Sequence, residues 1–201
     1  SDVYKRQILA NILFAAVGIV GLKAVGALGT EALAAVGTGQ RIFFVIQSLI
    51  MAVSTGTTAL IARAYGSGNK NEGSLVLFDS LWIGIALGVF TTFIGWIYGE
   101  SILGLFGLNE QSKELAVDYL KYSMLFSAMF SASFIFGAAL RAAGDAKTPL
   151  AIMIFQNIIN VFLLIGLVNG SFGLPNLGVV GAAFAWGCLL YTSDAADDYI
   201  R

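Results

Sequence analysis

The sequence predicts an all-α polytopic membrane protein, and three observations carry that reading. Hydrophobic residues make up 58% of the 201 and charged residues 11%, against about 25% charged in soluble domains. The mean hydropathy is +0.84. Apolar runs near the roughly 20 residues needed to cross a bilayer core recur between short polar links. Too little polar surface remains to face water. A formal charge of −1, with no histidine, offers no basic face for nucleic acid, so that partner class is excluded.

Both ends are set aside before the elements are read. "SDVYKRQ" (1–7) and "CLLYTSDAADD" (188–198) read as translations of the two strands of a transposase-based sequencing adapter. The expected division is therefore an adapter-derived tail at 1–7, a helical unit at 8–187 and a second tail at 188–201. The helical unit holds eight Lys/Arg and eight Asp/Glu. The single cysteine, Cys188, falls in a tail and carries no redox information.

The first predicted span is "ILANILFAAVGIVGLKAVGAL" (8–28), closed by the tight link "GTEA" (29–32). A second runs from Val36 to Ala64 and ends in the Gly/Asn-rich loop "ARAYGSGNKNEG" (62–73). The third is Ser74 to Tyr98. Residues 99–121 are amphipathic, with Asn109 as N-cap of a surface helix that feeds span four, which ends at Leu140. Span five is Leu150 to Val168. After the Gly/Pro turn "NGSFGLPNLGVVG" (169–181), a truncated sixth begins at Val179. Five complete helices and part of a sixth are expected.

Orientation follows from Lys/Arg placement. The links after spans two and four carry Arg63, Lys70, Arg141 and Lys147; those after one, three and five carry Lys113, with Lys121 beginning span four. The even-numbered links, and with them the N-terminus, are assigned to the cytoplasm. Arg41, near the outer end of span two, runs against this.

No nucleophile motif, metal-ligand cluster or phosphate loop is present, so no enzyme and no cofactor are expected. Polar groups inside spans are costly and each raises a functional question. Lys23 either snorkels to the outer interface or lines a cavity. Asn157 and Asn160, at i and i+3 beside Gln156, and Gln40 and Gln47, seven apart on span two with Arg41, either bind neighbouring helices or line a cavity. Ser54, Thr55, Thr57 and Thr58 are expected to bond back to carbonyls of their own helix. Asp79 is read as an ion-pair partner of Arg63 or Arg141. Within "AAGDAKTP", Asp145 caps the turn or pairs with Lys147 or Arg141, Gly144 turns the chain, and Pro149 opens span five. Phe43, Phe44, Phe126 and Phe130 are read as packing or lipid contacts.

"LRAAGDAKTP" (140–149) resembles the link between the fourth and fifth helices of the multidrug and toxin extrusion (MATE) family. "VGALGTEALAAVGTGQ" (25–40), "STGTTALIARAYGSGN" (54–69), "NIINVFLLIGLVNG" (157–170) and "GLPNLGVVGAAFAWG" (173–187) are similar, in order, to the family's other links and helix ends. The resemblance implies the N-terminal six-helix lobe of a twelve-helix antiporter. Such a protein exports organic cations and drugs against Na⁺ or H⁺, binds substrate near the midplane between lobes, and sits in a cell membrane, here a bacterial inner membrane. The implied partners are the lipid bilayer, a C-terminal lobe and small organic cations. This sequence departs from the family where acids are common. Gly21 stands at the first-helix position and Leu164 at the fifth-helix position four residues after Asn160, which puts cation coupling by this lobe in question. A lipid-linked oligosaccharide flippase of the same superfamily, or a non-transporting bundle, are the alternatives. Residues 8–187 alone are expected not to transport.

Overall fold

A computed structural model describes residues 2–145 and 147–191, with side chains at 8, 12, 15–145 and 147–187. Residues 192–201 and the side chains of both tails lie outside the described residues. The described chain forms α1 (Asp2–Gly26), α2 (Thr30–Gly66), α3 (Lys70–Gly104), α4 (Glu110–Leu125), α5 (Ser127–Ala142), α6 (Lys147–Asn169) and α7 (Gly178–Tyr191).

Helices α2 and α3 are longer than the sequence predicts, and their turns explain why. Gly29 takes φ 113°, a left-handed conformation open to glycine, so the chain reverses at once and α2 begins at Thr30 rather than Val36. At the other end Asn69 caps α3, its side chain accepting from the Glu72 amide at 3.2 Å and donating to the Glu72 carboxylate at 3.1 Å. The first bond satisfies one of the free amides in the first turn, and the second locks the two side chains together. α3 then runs 35 residues. Its uncharged stretch lies between Asp79 and Glu100 and spans roughly 30 Å at 1.5 Å per residue, the thickness of a hydrocarbon core.

Span four is two helices. α4 and α5 meet at Phe126 with a 50° bend. No proline or glycine marks the break; hydroxyl side chains of α3 and α5 supply its cause. Thr92 donates its hydroxyl to the Met124 carbonyl at 2.6 Å, Ser127 donates to the Gly88 carbonyl at 2.7 Å, and the Thr91 and Ser127 hydroxyls lie 2.7 Å apart. A carbonyl released by a helix break inside a membrane needs such a partner. Asn109 caps α4 as read from sequence, accepting from the Ser112 amide at 2.8 Å.

By length and composition α2, α3 and α6 each suffice to cross a membrane, and α4 with α5 makes a fourth, broken span; α1 and α7 contribute apolar stretches at Ala15–Gly26 and Gly178–Gly187. The links α2–α3 and α5–α6 lie at one end of the bundle, called here the basic end. Those after α1, α3 and α6 lie at the other.

Two apolar clusters hold the helices together. One joins α1, α2, α4, α6 and α7 through Val25, Val36, Tyr119, Leu164, Val168 and Ala183. The other joins α2, α3 and α4 through Ala35, Ile42, Leu103, Leu120 and Met124. Along α3, Gly84, Gly88, Gly95 and Gly99 form one face. A Cβ on Gly88 would overlap the Ala128 backbone, and one on Gly95 would lie 2.6 Å from the Met124 side chain. Small residues bring membrane helices into backbone contact in this way.

Candidate functional site

The positions singled out in the sequence fall into three groups. On α6, Asn160 is fully buried and donates its amide to the Ala185 carbonyl of α7 at 2.9 Å, while its oxygen Oδ1 is buried without a partner. One turn further along the same face, Leu164 is 2% exposed. The place where a Gly21 Cβ would stand is 3.6 Å from Leu164 Cδ2. The two departures noted in the sequence therefore meet across the α1–α6 contact, beside Asn160, in an apolar cluster. Neither position carries a carboxylate, and Gly21 is only half-buried there. Asn157 is buried but spends its amide on the Met153 carbonyl of its own helix, 2.7 Å away.

The second group lies on α2. Gln47 is 2% exposed, and neither its Nε2 nor its Oε1 has a hydrogen-bond partner. A buried amide left in this state costs roughly 1–3 kcal/mol, so this residue is the clearest polar anomaly in the bundle. Gln40 is exposed and hydrogen-bonds Tyr119 of α4, whose ring packs on Gly39. Thr55, Thr57 and Thr58 donate to the carbonyls of Met51, Val53 and Ser54, each at 2.9 Å, the helix-internal arrangement the sequence suggested. Arg41 is exposed beside an open cleft of about 370 Å³ that Thr30, Gly37 and Thr38 also line. Lys23, in the last turn of α1, is exposed as well.

The third group is at the basic end. Asp145 caps α6, its carboxylate accepting from the Lys147 and Thr148 amides at 3.0 and 3.1 Å. Hydrogen bonds to Thr148 hold its carboxyl below the usual range. Gly144 carries the turn at φ 97°, and Pro149 is in the first turn of α6. Asp79 is exposed and makes no ion pair with Arg63 or Arg141; the ion pair among the described residues is Lys113–Glu100, 3.5 Å, at the far end. The α3 helix turns Asp79 outward with Phe78 and Trp82, away from α2 and α5.

Phe43 and Phe130 pack edge to face at 6.2 Å, and Phe126 stands against Phe184 at 5.7 Å. Phe44 is exposed. Sequence reading missed Tyr119 and the Gly88–Thr91–Thr92–Ser127 network. The four- and seven-residue spacing of Gly84, Gly88, Gly95 and Gly99 was the available signal for the latter.

The described residues gather no cluster of three or more acidic, histidine or cysteine side chains fit for a metal. The bundle is thus a set of close-packed helices with isolated amides and no interior carboxylate among the described residues.

Known proteins agree with this architecture. The MatE family model matches residues 7–165. The chain is 35% identical over 182 residues to the probable multidrug resistance protein YoeA of Bacillus subtilis, covering 89% of this chain and 39% of that protein. It superposes on an outward-facing multidrug resistance MATE family transporter with TM-score 0.87 at 25% identity, covering 96% of this chain and 42% of the other. An inward-facing MATE structure gives TM-score 0.83 at 26% identity, covering 91% and 41%. The chain thus spans about two fifths of the length of these relatives. It belongs to the MatE family of multidrug and toxin extrusion transporters.

Proposed function

We propose that this chain supplies one helical lobe of an antiporter that exports organic cations and drugs against Na⁺ or H⁺, and that the coupling cation is held by residues outside the lobe's own α1–α6 seam. The observation that carries the second half is the pairing of Gly21 with Leu164, where a Cβ on Gly21 would meet the leucine side chain at 3.6 Å and neither residue carries a carboxylate. A cation in low dielectric needs a full or partial negative charge at bonding distance, and Asn160 Oδ1 alone provides only a dipole. The first half is supported by likeness to transporters in both outward- and inward-facing states at similar TM-scores, as expected of a lobe that rocks as a unit. Lys23 and Arg41 are exposed on different helices, and nothing gathers them into a pyrophosphate site, which disfavours the flippase reading. The membrane is expected to be a bacterial inner membrane with the basic end cytoplasmic.

The experiment is dye efflux from proteoliposomes holding the full-length transporter encoded at the source locus. Efflux driven by an imposed Na⁺ or H⁺ gradient is the expected result, while residues 8–187 alone export nothing. Efflux that is indifferent to both gradients would refute the coupled-antiport reading.

A further inference from the structure

An open groove of about 540 Å³ lies between α2 and α5 at the basic end, with Arg141 at its mouth. Three observations make it chemically specific. First, the Arg141 side chain lies back along α5, in the direction helix geometry favours, so that Nη1 sits 3.2 Å from where a Gly137 Cβ would be. The missing side chain at Gly137 is what gives the guanidinium its berth. Second, Arg141 makes no hydrogen bond or ion pair among the described residues. Asp145, the nearest acid in sequence, is committed to the Lys147 and Thr148 amides. Third, the groove walls carry no acid: Met51, Ala59, Ala62 and Phe134 are apolar, and Ser54, Thr55 and Thr58 offer only neutral hydroxyls.

A ligand that fits must carry a negative charge at one end and an apolar tail along the rest. From Met51 to Ala62 the groove follows α2 for roughly 16 Å at 1.5 Å per residue, enough length for most of one acyl chain. A small anion would leave the apolar walls wet, and an organic cation would meet the guanidinium. Arg141 is exposed at the basic end without a protein partner among the described residues, and basic pockets between membrane helices take anionic headgroups. We propose that this groove holds an anionic phospholipid, its phosphate forked on Arg141 and one acyl chain lying between α2 and α5.

The test is native mass spectrometry of the purified protein released from detergent with phosphatidylglycerol or phosphatidylcholine present. One phosphatidylglycerol retained in preference to phosphatidylcholine is expected. Arg141→Gln and Gly137→Leu should both lose it, the second without any change of charge, while Arg63→Gln at the same end keeps it. Ala59→Phe, which fills the apolar part and leaves Arg141 in place, should lose it too and guards against misfolding of the arginine variant. Equal retention of both lipids, or retention by Arg141→Gln as by the parent, would overturn the proposal. So would cross-linking of Arg141 to a carboxylate from the rest of a longer chain, or equal thermal stabilisation by inorganic phosphate alone.

Discussion

The α3–α5 seam and the α1–α6 seam are built from similar small and apolar residues, yet they do opposite things with polarity. At the first, Gly88 admits the α5 backbone; Thr92 binds the Met124 carbonyl beside the break at Phe126, and Thr91 and Ser127 bind the Gly88 carbonyl of α3. At the second, Gly21 faces the Leu164 side chain with room for a Cβ, and Asn160 keeps an oxygen without a partner one turn away. At the α3–α5 seam the hydroxyls of Thr91, Thr92 and Ser127 are paired and hold a shape, while Ser131 Oγ, one turn along, is buried without a partner. Polar atoms at the α1–α6 seam are few, and the Asn160 acceptor there stays unfilled.

Substitutions separate the two seams, and the largest effect is expected at the apolar one. Leu164→Asp buries a carboxylate beside Asn160 and should destabilise the bundle by about 3 kcal/mol in the absence of a bound cation. Thermal unfolding in lipid nanodiscs measures it, and a near-neutral result would mean that the seam is wetter than its 2% exposure indicates. Gly88→Ala comes next. Its Cβ would overlap the Ala128 backbone, and overpacking of this kind costs roughly 1–3 kcal/mol. Gly37→Ala, with open space around the added methyl group, is the matched control and should be neutral or slightly stabilising. Equal unfolding temperatures for the two alanines would break the contrast.

Thr92→Val removes the hydroxyl that serves Met124 and should cost about 0.6 kcal/mol, the average for hydrogen bonds between membrane helices. Amide exchange near Phe126 should quicken with it. The smallest effect lies outside both seams. The Asp145 carboxyl is held below its ordinary 3.8 by Thr148. A depressed folded-state value means that its contribution is present above about that pH and is lost as pH falls through the lower, folded value. The α6 N-terminus should therefore fray on acidification below pH 3.8, and Asp145→Asn should remove the dependence. A fraying midpoint unchanged in that variant would assign it to another group.

Much of this was legible in the sequence because the determinants are local. Asn109 and Asp145 mark helix ends through side-chain caps, and residue type announces that; the expected starts of α2 and α3 fall several residues late, because Gly29 and Asn69 sit in links whose sharpness composition does not show. The helix-internal bonds of Thr55 and Thr58 are local too. The break at Phe126 was not legible, because its cause sits more than thirty residues away in Thr92 and Gly88. Neither was the outward turn of Asp79, which depends on how α3 is rotated against α2 and α5. The α1–α6 site was visible as two separate departures, Gly21 and Leu164. That they touch is a fact of packing between helices far apart in the chain.

The measurement that tests the central claim most directly is thermal unfolding of the wild-type protein and of Leu164→Asp in nanodiscs, with Na⁺ replaced stepwise by choline. The account expects no Na⁺ response from the wild type and a saturable stabilisation of the variant, whose new carboxylate would complete a site with Asn160. A saturable Na⁺ stabilisation of the wild type, at constant ionic strength, would contradict it, since a cation site would then exist in a lobe described here as having none at this seam.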